Sequence, residues 1–440
     1  MGSHNCSICC VGDAFISRRL SVHQNNEQFF NMIKILRGAD VSVLNLETAI
    51  HSFEGYPLGE GKGDAYGQAD PYIADEIKWA GFDLVSRANN HSMDYTVGGL
   101  IATTKHLDRV GLAHAGAGMD LAEARAPACL ETPKGIVSII SATTYNLAFA
   151  SYPRLDLQGR PGVNPLRIQT TYYLDSYDFH AMKKIVKALN MWQPKSSEDG
   201  EEFFFPPRQQ VFKLAKETKT VYTINETDFE NNIKAIQNAK KLSDWVIFSL
   251  HDHYDALTAP EGYNTKQFTT DPIESFARAS IDAGVDVFFS HGTHMLRGLE
   301  IYKRKPIFYG LGNFVFQSTL IKKQPSDLFE KYGLSLNSST TDLYEKREKS
   351  PRRFFNEQEY WESVLVHCLF QNKNLIELKL YPLTLNYHSK KPLREQRTTA
   401  GIPSLATKTL GKKIIKDMNY LSSKYGTEIR YHDGIGVVII

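Results

Sequence analysis

The chain has 440 residues, and its 51 Lys plus Arg against 49 Asp plus Glu give a formal net charge of +2. That balance excludes binding to nucleic acid or to an anionic membrane surface through bulk charge, leaving a local basic run at residues 346–353. A hydrophobic share of 42% and a charged share of 23% describe a chain with a sizeable core, long enough for one large α/β domain with insertions or for two domains.

The five cysteines, Cys6, Cys9, Cys10, Cys129 and Cys368, are odd in number and irregularly spaced, which argues against a disulfide framework. Cys6, Cys9 and Cys10 resemble half of a zinc site, but no second Cys or Cys/His pair follows. Cys9 and Cys10 read instead as small apolar residues of the first core strand. No run of about 18 apolar residues occurs, so no membrane-spanning helix is expected. The first residues lack the basic-then-apolar pattern of a leader. A soluble, cytoplasmic location is therefore expected, or a secreted one if a leader has been removed.

In chain order, residues 7–11 form a short apolar strand ending at Gly12-Asp13. Residues 26–37 have helical spacing through Phe29, Phe30, Ile33 and Leu36. Residues 40–46 read as a strand ending at Glu47, and residues 71–80 as a helix with Ile73, Ile77 and Ala80 on one face. Leu84-Val85-Ser86 leads into Asn89-Asn90-His91. A helix over 97–110 precedes a short strand near Ala113, and residues 136–141 are a buried strand. Repeated βα units imply a mostly parallel layer covered by helices.

Residues 145–207 hold several prolines and read as a loop-rich insertion. Residues 228–242 are helical and 245–250 form a strand feeding His251. A helix over 273–283 precedes the apolar run 285–289, which ends at Ser290-His291-Gly292-Thr293-His294. Residues 306–309 and 313–316 read as paired strands split by Gly310 and Gly312. A polar stretch over 322–357 reads as a second, mobile insertion. Residues 363–369 and 375–381 alternate as a hairpin, 405–424 are helical, and 437–440 form a closing strand. One domain over 5–440 is expected, with a strand-helix-strand extension at 361–440.

Five points along the chain place an acid, an Asn or a His just past an apolar run, the edge where α/β sheets bind ligands. They are Asp13, Glu47, Asn90-His91, His251 with His253, and His291 with His294. Carboxylates, an amide oxygen and imidazoles are what a site for two divalent cations needs, with one carboxylate bridging. Glu47 is the candidate bridge. His91 is placed to give a proton to a leaving group, and Asp94, three residues on, to orient its ring. Each residue also has a plainer reading: Asp13 as a turn residue, Glu47 as the cap of a helix starting at Thr48, and His253 and Asp255 as solvated loop residues.

The ordered motifs resemble those of the CapA (poly-γ-glutamate capsule biosynthesis) family, whose fold is like that of calcineurin-type metallophosphoesterases. The matching segments are Gly12-Asp13 with Arg18, Asn45-Leu46-Glu47-Thr48, Ala80-Gly81-Phe82-Asp83, Ala88 through Tyr95, Gly116-Ala117-Gly118, His291 through His294, and Tyr309 through Phe316. They cover about residues 7–320. The resemblance implies a four-layer α/β/β/α sandwich of the metallo-dependent phosphatase type. It implies metal-site positions for Asp13, Glu47, Asn90, His251, His291 and His294, and the catalytic histidine position for His91. Two departures stand out. Phe15 occupies the place of the histidine in the Asp-x-His pair that opens many such sites. Asp252-His253 follows His251 where the family usually shows Trp-Gly, so His253 or Asp255 is a candidate extra ligand or substrate contact.

The function expected from this reading is a soluble hydrolase using one or two divalent ions (Mn, Fe or Zn). A metal-bound hydroxide would attack a phosphoester or a γ-glutamyl-type amide, with His91 as general acid. Arg18, beside the catalytic pair, and Arg297 are the expected binders of a small anionic or γ-glutamyl substrate. The alternatives are a non-hydrolytic component of poly-γ-glutamate assembly that binds an acidic polymer, and a metal-free binding protein that has lost the Asp-x-His histidine. Neither a nucleic-acid partner nor a membrane span is expected, and the oligomeric state is left open.

Overall fold

The computed structural model describes residues 5–59, 65–145, 148–191, 200–205, 210–349, 357–387, 391, 393–396 and 398–440. Strict alternation of buried side chains along the strands sets its layering. In the strand Asn5–Phe15, Cys6, Ile8 and Cys10 share one core with Val137, Ile139, Ile247, Val287 and Phe289 of a second sheet. Cys9 and Val11 face the other way, onto Phe29, Ile33, Ile73 and Ile77. In the second sheet, Val246, Phe248 and Phe288 turn outward onto Ile236, Ile273 and Phe276. Two sheets thus pack face to face, and each outer face is covered by helices. These are Glu27–Gly38 and Ile73–Ala80 on one side, Glu226–Leu242 and Asp271–Ala283 on the other. Burying both faces of a strand gains about 1.5–3 kcal/mol for each large apolar side chain, which is why these strands read as continuous apolar runs. This is the four-layer α/β/β/α sandwich expected.

The cysteines follow the same pattern: Cys6, Cys9, Cys10 and Cys368 are buried on core faces, Cys129 is exposed, and all five are free thiols. Burial pushes the Cys6 thiol up to about 12. No helix among the described residues is long and apolar enough to cross a membrane.

One sheet has ten strands and the other six. The first strand is longer than its apolar run suggested, because it changes partners part-way. Asn5 to Cys10 pair antiparallel with Glu362–Gln371, whereas Asp13 to Phe15 pair parallel with Asn313–Phe316. The exchange happens at Gly12, where a Cβ would lie 1.9 Å from the Gly312 carbonyl oxygen. Only glycine permits that approach, and it places Asp13 inside the strand rather than in a turn beyond it. In the six-stranded sheet, Gly135–Thr143, Trp245–His251, Val287–His291 and Lys305–Phe308 run parallel.

Several expectations are corrected. The segments 306–309 and 313–316 do not pair with each other. Lys305–Phe308 belongs to the six-stranded sheet and Asn313–Phe316 to the ten-stranded one, so the glycines between them carry the chain across the sandwich. No helix starts at Thr48: Ala49–Ile50 is a short strand paired with Gln68–Ala69. The region 145–207 holds regular elements between its loops. Ile168–Leu174 joins Glu202–Phe205, Gln210–Leu214 and Lys219–Ile224 in a separate four-stranded sheet, beside the helix Ser176–Ala188. The region 322–357 holds the helices Ser326–Lys331 and Thr340–Glu348, which pack Leu328, Phe329 and Leu343 against Tyr66 and Tyr95. Parts of these regions (146–147, 192–199, 206–207 and 350–356, including the end of the basic run) lie outside the described residues. The closing element is a hairpin, Ile429–His432 with Ile435–Val438, at the edge of the ten-stranded sheet.

Candidate metal centre

The C-terminal ends of the parallel strands from both sheets meet at one point. Strand register does much of the alignment: Asp13 lies opposite both Asn45 and Asn313, and His251 lies opposite His291. The turn after His291 then reaches across the sandwich, where the Gly292 N–H donates to Asp13 Oδ2 at 2.8 Å. Gly292 has φ +100° and His294 φ +63°, a left-handed backbone that returns the second histidine to the same point.

Six expected side chains converge there. His251 Nδ1 is 2.9 Å from His291 Nδ1, and His251 Nε2 is 3.0 Å from Asn90 Oδ1. Asp13 Oδ1 lies 3.4 Å from His291 Nδ1 and 3.6 Å from His251 Nδ1, and Asp13 Oδ2 lies 3.3 Å from His294 Nδ1. Glu47 Oε1 is 3.6 Å from His251 Nε2 and 3.9 Å from His294 Nε2. His253 joins them, its Nε2 2.9 Å from His251 Nε2. Three overlapping groups result: Asp13 with His251 and His291, Glu47 with His251 and His253, and Asp13 with Glu47 and His294.

These spacings suit divalent cations. Ligands about 2.1 Å from one ion lie about 3.0–3.4 Å from each other, close to the separations seen. Burial, then the neighbouring His253, hold the His251 imidazole well below its usual range, so it is neutral, as a ligand must be. Burial, then His294, lower His253 to about 3. Burial would lower His294 too, but the Glu47 and Asp13 carboxylates outweigh it and hold the ring up at about 9. Burial would raise Asp13, but hydrogen bonds from His291 and His294 keep its carboxyl well below the usual range. In the absence of an ion, His294 carries the proton that a bound cation would displace. The mixed carboxylate, amide and imidazole set fits Mn, Fe or Zn.

Around the cluster, short polar contacts hold the donors. Ser249 Oγ is 2.7 Å from His291 Nε2. Asn45 Nδ2 donates to Asp13 Oδ1 at 2.8 Å, and Asn313 Oδ1 is 2.9 Å from His294 Nδ1. Asn89 Nδ2 donates to Asn45 Oδ1 and to the Leu46 carbonyl, while its Oδ1 accepts from the His91 N–H. These asparagines had been noted only as parts of motifs. The signal that could have found them is the one that found Asn90: a polar residue at a strand end.

His91 lies beside the cluster. Its Nδ1 is 2.7 Å from Asp94 Oδ2, as the three-residue spacing suggested. Asp94 is fully buried and also accepts the Gly67 N–H. Phe15, at the position of the missing histidine, sets its ring edge against His91 with centroids 5.1 Å apart.

The two arginines and Asp255 are corrected. Arg297 is buried inside the protein. Its guanidinium donates to Asp252 Oδ2 at 2.9 Å and to Asp255 Oδ1 at 3.0 Å, so its charge is committed to these carboxylates rather than free. Arg18 is not brought to the cluster. It lines neighbouring depressions with Ser17, Gln68, Asp70 and Arg19.

A family model described as bacterial capsule synthesis protein PGA_cap matches residues 7–318. Over 98% of this chain and 92% of its relative, the sequence is 34% identical to the uncharacterized protein y4sH of Sinorhizobium fredii. It is 24% identical to the PGA biosynthesis protein CapA of Bacillus subtilis, over 75% of this chain and 68% of that one. It is 23% identical to the capsule biosynthesis protein CapA of Bacillus anthracis, over 73% and 62% respectively.

Proposed function

The chain belongs to the bacterial capsule synthesis protein (PGA_cap) family, and from that membership we propose that it is a divalent-metal-dependent hydrolase of phosphoester or γ-glutamyl-type amide bonds. The observation that carries this reading is the convergence of Asp13, Glu47, His251, His253, His291 and His294, beside the His91–Asp94 pair. Bound divalent ions would make water nucleophilic at neutral pH and neutralise charge developing on the substrate.

The protein's own residues supply the rest. Asp13, Glu47, Asn90 and the four histidines hold the ions. Asn45, Asn89, Ser249 and Asn313 fix the donors' orientation, which is how surrounding polar groups tune a metal site. Asp94 holds the Nδ1 side of His91, so the proton given to the leaving group comes from Nε2. The buried strand ends exclude bulk water from the donors and strengthen each electrostatic contact.

A second reading, a non-hydrolytic role in γ-glutamate polymer assembly, is favoured by the biosynthetic names of the Bacillus relatives. One experiment separates the two. Turnover of an aryl phosphate and of a γ-glutamyl anilide is measured with and without added Mn²⁺, for wild type and His91→Ala. Mn²⁺-dependent cleavage lost in the variant supports the hydrolase and names the bond. Tight metal binding with no cleavage of either substrate supports the assembly role.

A further inference from the structure

Arg297 is committed to Asp252 and Asp255 inside the protein, and Arg18 lines a depression with Asp70, so neither is seen contacting the cluster among the described residues. Lys266 stands beside the cluster. It sits in the 3-10 turn Thr265–Gln267, closed by reciprocal bonds between Asn264 and Gln267. Its carbonyl oxygen accepts from Thr293 Oγ1 at 2.9 Å and from Arg297 Nε at 2.7 Å. Thr293 lies between His291 and His294, so the Lys266 backbone is tied directly to the metal-site turn.

The side chain is placed equally firmly. The Lys266 ammonium hydrogen-bonds the Tyr360 hydroxyl and lies 5.1 Å from the centre of the Tyr360 ring. That ring is 6.1 Å from the His294 ring. On the other side, the positive charge of Lys266 is felt by His253. Asp255 pairs with Arg297 and Glu357 accepts from Asn264, and both carboxylates favour the charged form of Lys266 from a distance, while among the described residues the half-buried ammonium hydrogen-bonds a neutral hydroxyl, that of Tyr360. An ammonium whose hydrogen-bond partner is a neutral hydroxyl keeps donors for an oxyanion on the substrate, and a charge-assisted bond to that oxyanion is stronger than one to a hydroxyl.

We propose that Lys266, positioned by Tyr360, binds the substrate's oxyanion beside the metal cluster, whether a phosphoryl oxygen or a γ-glutamyl α-carboxylate. This rests on the hydrolytic reading of the cluster, but its test does not depend on turnover. Calorimetry would measure binding of inorganic phosphate and of γ-glutamyl anilide to the Mn²⁺-loaded wild type, Lys266→Met, Lys266→Arg and Tyr360→Phe proteins. Butyryl anilide, which lacks both the α-carboxylate and the α-amine, is the neutral comparator, and bound Mn²⁺ is measured in each sample.

In Lys266→Met, binding of the anion that fits should weaken roughly 10- to 100-fold, the range of a charge-assisted hydrogen bond, with bound Mn²⁺ and comparator binding unchanged. Lys266→Arg should retain most of the affinity. Tyr360→Phe, which keeps the charge but releases it, should show a smaller loss. Loss for phosphate alone or for the anilide alone names the oxyanion. Equal binding by Lys266→Met and wild type, equal loss for the neutral comparator, or no binding of either anion by wild type would overturn the assignment. Lys266-dependent binding without any cleavage would leave it standing and remove the hydrolytic reading.

Discussion

His253 Nε2 lies 2.9 Å from His251 Nε2, within reach of the Glu47 carboxylate that approaches the same His251 nitrogen. Residue 15, where many calcineurin-type sites carry the histidine of an Asp-x-His pair, is a phenylalanine in T-shaped contact with His91. The chain thus brings a histidine from the loop after His251 to the cluster, while Phe15 packs against His91 beside it.

If His253 is a ligand, its loss should be read in metal content. His253→Ala, dialysed against limiting Mn²⁺, should retain the more weakly held ion at least about tenfold less well than wild type, by atomic emission. Thermal stabilisation by added Mn²⁺ should shrink in parallel, because an ion that binds only the folded state stabilises it by mass action. Unchanged metal content and unchanged stabilisation would remove His253 from the ligand set.

The His91–Asp94 pair predicts a separation of chemistry from metal binding. His91→Ala should lower kcat by about 10²- to 10⁴-fold, the usual contribution of a positioned general acid. Asp94→Asn should cost about 10- to 100-fold, the range for a partner that orients an imidazole. Both should keep wild-type metal content. A fall in bound metal in either variant would mean that the pair supports the cluster rather than the proton transfer.

Arg297 predicts a stability effect rather than a substrate effect. Replacing it with Met leaves Asp252, which is fully buried, without its charge partner. The cost should be about 3–5 kcal/mol, seen as a lower denaturation midpoint in urea. A variant of wild-type stability with a raised KM would place Arg297 at the substrate instead.

His51 predicts a pH dependence away from the cluster. Burial, opposed in part by Glu54 and Asp94, lowers its imidazole to about 4. The ring accepts the Phe53 N–H at Nδ1 (3.0 Å) and packs 4.1 Å from the Tyr95 ring, so the folded state holds it neutral. The unfolded chain binds this proton below about pH 6.5 and the folded chain only near 4, so stability is full above about 6.5 and falls as the pH drops through that window. The loss attributable to His51 reaches up to about 3 kcal/mol near pH 4. Denaturation midpoints at pH 7 and pH 5 should converge in His51→Asn, which keeps an acceptor for the Phe53 N–H and cannot titrate. An equal pH dependence in the variant would place the effect on other histidines.

The sequence alone was enough to mark Asp13, Glu47, Asn90, His251, His291 and His294 as one set. Each follows an apolar run, and a parallel sheet brings strand ends to a common edge. His91 and Asp94 were legible as a pair because three residues of chain bring the two side chains together. Local periodicity likewise carried the helices at Glu27–Gly38 and Asp271–Ala283, where one face is apolar.

Tertiary structure decided what depends on contacts between distant segments. Arg297 reads as a free cation until the fold buries it against Asp252, 45 residues away, and Lys266 meets Tyr360 across 94 residues. The strands on either side of Gly310 and Gly312 have the same apolar pattern, so nothing local assigns them to different sheets. Only the close approach of Gly12 to the Gly312 carbonyl does. The helices Ser176–Ala188, Ser326–Lys331 and Thr340–Glu348 and the strand Ile168–Leu174, all within the expected loops, were hidden for the same reason, since their small apolar faces make sense only against the surfaces they cover. Periodicity determines which face of an element is apolar, whereas partner choice is set by packing and by the pairing of buried charge, which appear only once the chain has folded.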